Sequence, residues 1–204
     1  MIPYTAYTTN KRSLAAVRGA GWRVMLSPAT GLKNYDIPYA LDNGAWSAFK
    51  AGEAFREAPF MAAVEKIGPG SAWVVAPDIV EGGPTSLKMS LRWLPWLFDR
   101  VPKVLIAVQD GMRPQDIHGR LGIRLGIFVG GSTEWKEETM AMWAGLARSC
   151  GAICHVGRVN TARRIALCAA AGVDSFDGSS VSKFAKTLPR LDNAARQPDF
   201  LVNR

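Results

Sequence analysis

Three aspartates, Asp42, Asp78 and Asp177, each close a short apolar run. Gln109 ends another such run, the Gly130-Gly131 pair a fourth, and Arg158 follows His155-Val156-Gly157. Asp-Gly and Asp-Asn-Gly are ordinary turn chemistry, so any one of these positions alone fits a loop. Together they say more. Three carboxylates in one cleft repel and raise each other's pKa, a loss of stability more readily kept for chemistry than for folding. Two carboxylates near an anomeric carbon can divide the work: one attacks the carbon, the other moves a proton to or from the base. A third carboxylate can accept two N–H groups from a guanine-like edge, and a glutamine supplies both a donor and an acceptor. Glycines let a backbone N–H come close to a carbonyl.

These residues meet only if their strands end at one face. Strand-like runs are expected at residues 3–7, 22–27, 38–42, 72–77, 103–109, 124–130, 152–156 and 173–176. Helical patterns fall mostly between them, at 11–19, 53–67, 86–98, 114–121, 134–148, 161–171 and 180–188. In 53–67, Phe60, Ala63, Val64 and Ile67 share one face. Ser132 and Thr133 are cap candidates for 134–148, Gly172 closes 161–171, and Pro95 should kink or shorten 86–98. The link at 28–37 reads as a loop. Alternating strands and helices predict an α/β chain, a single (β/α)8 TIM-type barrel over residues 1–204. At this length no large insert domain fits, and 192–204 reads as a polar, peripheral tail. The active site of such a barrel lies at the carboxyl ends of its strands, where the polar residues above converge.

Hydrophobic residues make up 48% of the chain, enough for a sizeable core. No apolar run is long enough for a membrane span, and the first residues lack an apolar leader core, so no membrane partner is expected. An odd number of cysteines, Cys150, Cys154 and Cys168, suits a reducing cytoplasm. The net charge of +8 comes from 25 basic and 17 acidic residues. A polyanionic partner and a merely soluble basic surface explain it equally well.

The motifs, in their order, resemble the tRNA-guanine transglycosylase family, and more closely its small phage-type relatives that place 7-deazaguanines in DNA. The resemblance runs from Asp42 to about Val181. DNGAW looks like the family's Asp-Ser-Gly-Gly-aromatic segment, which implies Asp42 as general acid/base and Trp46 as the aromatic that stacks on the base. VVAPDIV implies Asp78 as the guanine-reading aspartate, and AVQDG implies Gln109 as a base contact. FVGGSTEW is similar to the segment whose glycine amide meets the base carbonyl, hence Gly130 and Gly131. HVGRVNT followed by SFDG implies Asp177 as the nucleophile. The resemblance implies base exchange through a covalent Asp177 glycosyl-enzyme, with a 7-deazaguanine such as preQ0 entering and no cofactor. If the chain is phage-encoded, it acts in the host cytoplasm.

The departures from the family bear on the partner. Asn43 stands where the family usually has serine and Ala45 where it has glycine. The family's tRNA enzymes bind zinc through three cysteines and a histidine near the carboxyl end, whereas Asp177 is followed by neither residue type. Cys150, Cys154 and His155 form C-x3-C-H, a poor zinc spacing, and Cys154 and His155 fall on opposite faces of a strand. They read as core residues, and no metal is expected. DNA is therefore favoured over tRNA. Arg158, Asn160, Arg163, Arg164 and Lys136 are the candidate phosphate contacts. Trp93 and Trp96 read as core or interface, Trp135 as mouth-lining or helix packing, and His118 as surface. Two other readings stand beside base exchange. A phosphate-binding barrel isomerase uses the glycine pair but leaves Asp78 and Gln109 idle. A non-catalytic nucleic-acid module explains the charge but not the acids.

Overall fold

The computed structural model describes residues 1–29, 32 and 36–196. Eight parallel strands close into a barrel in chain order: β1 (Ile2–Ala6), β2 (Arg23–Leu26), β3 (Tyr39–Leu41), β4 (Val74–Val75), β5 (Val104–Val108), β6 (Leu125–Val129), β7 (Cys154–Val156) and β8 (Ser175–Gly178). Closure is made by β1 on β8, with Tyr4 opposite Asp177. The fold is the single (β/α)8 barrel that the alternation of patterns predicts.

Helices wrap the barrel: α1 (Lys11–Gly19), α2 (Ala45–Lys50), α3 (Glu57–Ile67), α4 (Gly83–Phe98), α5 (Thr133–Ser149), α6 (Ala162–Ala170), α7 (Ser180–Lys183) and α8 (Leu188–Arg196). Their starts follow the capping chemistry. The Ser132 side chain accepts from the Trp135 N–H to open α5, and Thr161 accepts from the Arg164 N–H to open α6. Gly172, at a φ of 72°, turns the chain after α6 as the sequence implies. The helix α4 continues through Pro95 to Phe98, so proline does not shorten it.

Several expectations are corrected. Residues 114–121 form two 3-10 turns, Pro114–Asp116 and His118–Arg120, instead of a helix. The α3 helix begins at Glu57 rather than 53. The short α2, absent from the sequence reading, follows Asp42 almost at once. The start of the expected tail is the end of α8, where Asp192 accepts from the Trp22 indole N–H at 2.9 Å and Arg196 donates to the Ala20 carbonyl at 2.8 Å. The rest of that tail, 197–204, lies outside the described residues, as does part of the expected loop at 28–37.

Two apolar layers hold the barrel. The larger lies between strands and helices and includes Leu26, Phe60, Leu97, Ile127, Trp143 and Phe176. The smaller fills the interior with Tyr4, Ala40, Trp73, Val75 and Leu105, against which Met25, Phe128 and Ile153 pack. Inside a closed barrel every second residue points inward. Gly126 is such a position: an added Cβ would lie 2.6 Å from the Ile153 carbonyl and 2.7 Å from the Leu105 side chain. Glycine there makes room for Leu105 and Ile153, and the interior also holds the Phe128 and Trp73 rings, with centroids 6.4 Å apart. The aromatic floor leaves the upper end of the barrel open to solvent.

Candidate active site

That open end is a cavity of about 710 Å³, lined by Asp42, Asp78 and Asp177 together with Gln109, Gly131 and Arg158. The three acids expected to converge do so. Gly130, Trp46 and Asn160 also line it. Asp177 is not the residue after a strand, as the sequence reading has it, but lies within β8 and points inward by alternation from Phe176.

The acids have different surroundings. Asp42 accepts a long bond from the Gly44 N–H, 3.3 Å, is also met by the Asn43 backbone N–H, and otherwise faces the cavity. Burial, then the charges of Asp177 and Asp78, push its carboxyl up to about 7. Asp78 is held on both oxygens: Asn43 Nδ2 donates to Oδ1 at 2.7 Å and Gln109 Nε2 donates to Oδ2 at 2.7 Å. Burial still leaves it above the ordinary aspartate range, with those two bonds opposing the rise. Asp177 Oδ1 lies 3.1 Å from His155 Nε2, and His155 Nδ1 lies 2.8 Å from Ser175 Oγ.

Several side chains have work other than that expected. Gln109 does not present a free amide to the cavity. Its Nε2 donates to Asp78 and to the Ile79 carbonyl at 3.0 Å, and its Oε1 accepts from the Gly82 N–H at 3.1 Å. Its geometry is that of a brace for Asp78. Asn43 is a second brace, donating also to the Ala76 carbonyl and accepting from the Ala45 N–H, which starts α2. The Gly130 N–H is spent on the Val108 carbonyl at 2.9 Å. The Gly131 N–H has no acceptor among the described residues, which makes Gly131 the amide available to a ligand. Gly131 has a φ of 77°, and a Cβ there would strike Asp110 Oδ2 and the Trp135 ring. Asp110, next to Gln109, fixes this loop by accepting from Ser132 N at 2.8 Å and Ser132 Oγ at 2.6 Å.

The basic residues divide. Arg158 lies at the mouth with a left-handed φ of 60°, its guanidinium 4.3 Å over the Trp46 ring and bonded to the Gly131 carbonyl. Trp46 in turn stacks on Phe49, and both rings are exposed. Arg163 and Arg164 sit on α6 and pair with Glu137 at 2.8 Å and 3.0 Å. Asn160 Oδ1 accepts from Ser180 N and Oγ and so ties the loop after β7 to α7. Lys136 is corrected outright. It is 4% exposed, donates to the Gly157 carbonyl at 2.6 Å, and cannot meet a phosphate at the surface. Burial, then the nearby Arg158 charge, lowers its ammonium to about 8. Exposed Lys183, on the cavity wall, is a cation that sequence reading passed over.

The chain matches no model of a known protein family and no curated protein. The site therefore rests on its own geometry. Among the described residues, no group of three or more His, Cys, Asp or Glu is arranged to hold a metal ion. Cys154 and Cys168 are buried thiols, Cys150 is half-buried, and burial pushes the Cys168 thiol up to about 12. His118 is exposed, and Trp93 and Trp96 pack edge-to-face with centroids 5.6 Å apart. Trp135 is half-buried against Trp143. No described helix is long and apolar enough to cross a membrane.

What the sequence reading missed is His155. The sequence reads it as a core residue, and it is indeed fully buried, but it also touches the candidate nucleophile. The signal was available: His155 and Asp177 both point inward on neighbouring strands, with His155 in register with Ser175.

Proposed function

We propose that this chain is a base-exchange transglycosylase that replaces guanine in a polynucleotide, DNA in preference to tRNA, with a 7-deazaguanine. The observation that carries the reading is the division of labour among three neighbouring carboxylates. Asp42, at about 7, can hold or release a proton near neutral pH. Asp177 is held by a neighbour on one oxygen only. Asp78 is braced by Asn43 and Gln109 with one lone pair on each oxygen still unused. Those lone pairs suit the N1–H and 2-amino group of a guanine-like base, and the Gly131 N–H suits its carbonyl. The cavity lies within the usual range for a small-molecule site, about 300–1,000 Å³.

The reaction is a double displacement. A flipped nucleotide enters the mouth, and an oxygen of Asp177 forms a bond to C1′ as the C1′–N9 bond breaks. Asp42 gives its proton to the departing guanine. A 7-deazaguanine then takes the same place, Asp42 removes its N9 proton, and N9 attacks C1′. The C1′–O bond breaks and Asp177 returns as a carboxylate. Two inversions give net retention. Arg158 and Lys183, both on the cavity wall, supply positive charge for the flanking phosphates. The choice of DNA follows the resemblance of the motifs to the small phage-type enzymes that place 7-deazaguanines in DNA.

The test is direct. The protein is incubated with labelled guanine and either DNA or tRNA, then with preQ0, and the nucleosides are analysed by mass spectrometry. Incorporation into DNA supports the reading, incorporation into tRNA alone reverses the choice of partner, and incorporation into neither removes the activity.

A further inference from the structure

His155 is an unusual occupant of a barrel interior. Its ring stacks on Phe128 at 5.0 Å and meets Trp73 at 4.7 Å and Tyr4 at 5.7 Å. An imidazole among aromatic rings loses its hydration and must find both of its partners inside the protein. It has them: Ser175 on Nδ1 and Asp177 on Nε2. Ser175 and Asp177 lie two apart on β8 and so share its inward face. A phenylalanine or leucine would fill this space but leave the buried Ser175 hydroxyl and Asp177 Oδ1 without their partner, so packing alone does not account for a histidine.

We infer that His155 is a positioning residue that, fixed by Ser175, holds one oxygen of Asp177 and leaves the other to face the substrate. The inference rests on the reading of Asp177 as nucleophile. An ionised carboxylate only accepts hydrogen bonds, so the Nε2–H must lie toward Asp177 Oδ1. A neutral ring then accepts the Ser175 hydroxyl proton at Nδ1, and a charged ring donates there, so in either state Ser175 sets the ring plane. The rings of Phe128 and Trp73 prevent rotation. With Oδ1 committed, Oδ2 is the oxygen that can attack C1′. Near-attack alignment of this kind acts on the chemical step and not on binding of the polynucleotide. The other charged groups around Asp177 are Asp42, Asp78, Asp110, Glu81, Arg158 and Lys183, which line the same cavity, and Lys136, directed at the Gly157 carbonyl. Among the described residues none of these has a hydrogen bond to its carboxylate, which only His155 meets.

Two measurements test this, and one needs no activity. The chain has only two histidines, so ring-nitrogen NMR with labelled histidine gives a simple spectrum. His155 should show a protonated Nε2 with a downfield, slowly exchanging proton. That signal should be lost in Asp177→Ala and perturbed in Ser175→Ala, while His118 is unmoved. A protonated Nδ1 with bare Nε2, or a signal indifferent to Asp177→Ala, overturns the inference whether or not exchange is found. The second measurement uses kinetics. His155→Phe should lower kcat for base exchange roughly 10- to 100-fold, the value of a hydrogen bond to a charged group, with KM for the polynucleotide little changed. His155→Gln, which keeps a donor, should recover part of the loss, and Ser175→Ala should give a smaller loss of the same kind if His155→Phe does not fold. Wild-type kcat in a folded His155→Phe overturns the positioning role and leaves the transglycosylase reading standing. Absence of exchange in the wild-type protein removes that reading, and the NMR result then decides the His155–Asp177 contact alone.

Discussion

The raised carboxyl of Asp42 makes a measurable claim about folding that does not depend on any activity. Below pH 3.8 this group is protonated in the folded and the unfolded chain alike and costs nothing. Between 3.8 and about 7 the unfolded chain has lost the proton and the folded chain has kept it, so stability falls as pH rises. Above about 7 both are ionised and the whole penalty stands, with a ceiling of about 4 kcal/mol for a group moved from 3.8. Water entering the open mouth screens part of it. Asp42→Asn keeps an acceptor for the Gly44 N–H and removes the charge. Its stability relative to wild type should therefore grow with pH, from near zero at about pH 4 to between roughly 2 and 4 kcal/mol at about pH 8.5. For a chain of this size that is roughly 10 °C in melting temperature. Urea unfolding of both proteins across this range is the assay. Curves that stay parallel within about 0.5 kcal/mol would show that Asp42 carries no unfavourable charge in the fold.

Asp177→Ala should abolish exchange and the covalent adduct on denaturing gels while leaving free-base binding largely intact; wild-type exchange in that variant removes Asp177 from the chemistry. Asp78→Asn exchanges an acceptor for a donor against Asn43 and Gln109, both of which already donate to it, so calorimetry should show weaker binding of guanine-like bases. Unchanged affinity would take Asp78 out of the base site. Ser132→Ala removes the cap of α5 and a bond to Asp110, and should cost about 1–2 kcal/mol in urea titrations by the usual value of a cap. A variant as stable as wild type would show that this loop is held by other means.

The barrel was legible because each strand is a short apolar run bounded by turn residues, and helical periodicity fills most of the gaps. The α2 helix was not, because six residues from Ala45 to Lys50 are too few to show a period, and its start is set by Asn43 from outside the helix. The convergence of the three acids could be read from strand ends alone. Where each polar group spends its hydrogen bonds could not. Gln109, Gly130 and Lys136 have the right types in the right places, yet their bonds close inside the protein on Gly82, Val108 and Gly157. Those partners are fixed by chain paths that meet only after folding. His155 shows the converse: a residue that looked apolar by its neighbours in sequence acquires a function from the adjacent strand.

The guanidinium of Arg158 covers the ring of Trp46, to which the proposed function gives the stacking of a flat base. A base arriving alone must displace that cation and offers it nothing in return. A base arriving on a polynucleotide brings a phosphate to which the displaced cation can turn. On the proposed reading the mouth thus discriminates by connectivity and not only by shape, favouring a base carried on a polymer over one that arrives alone.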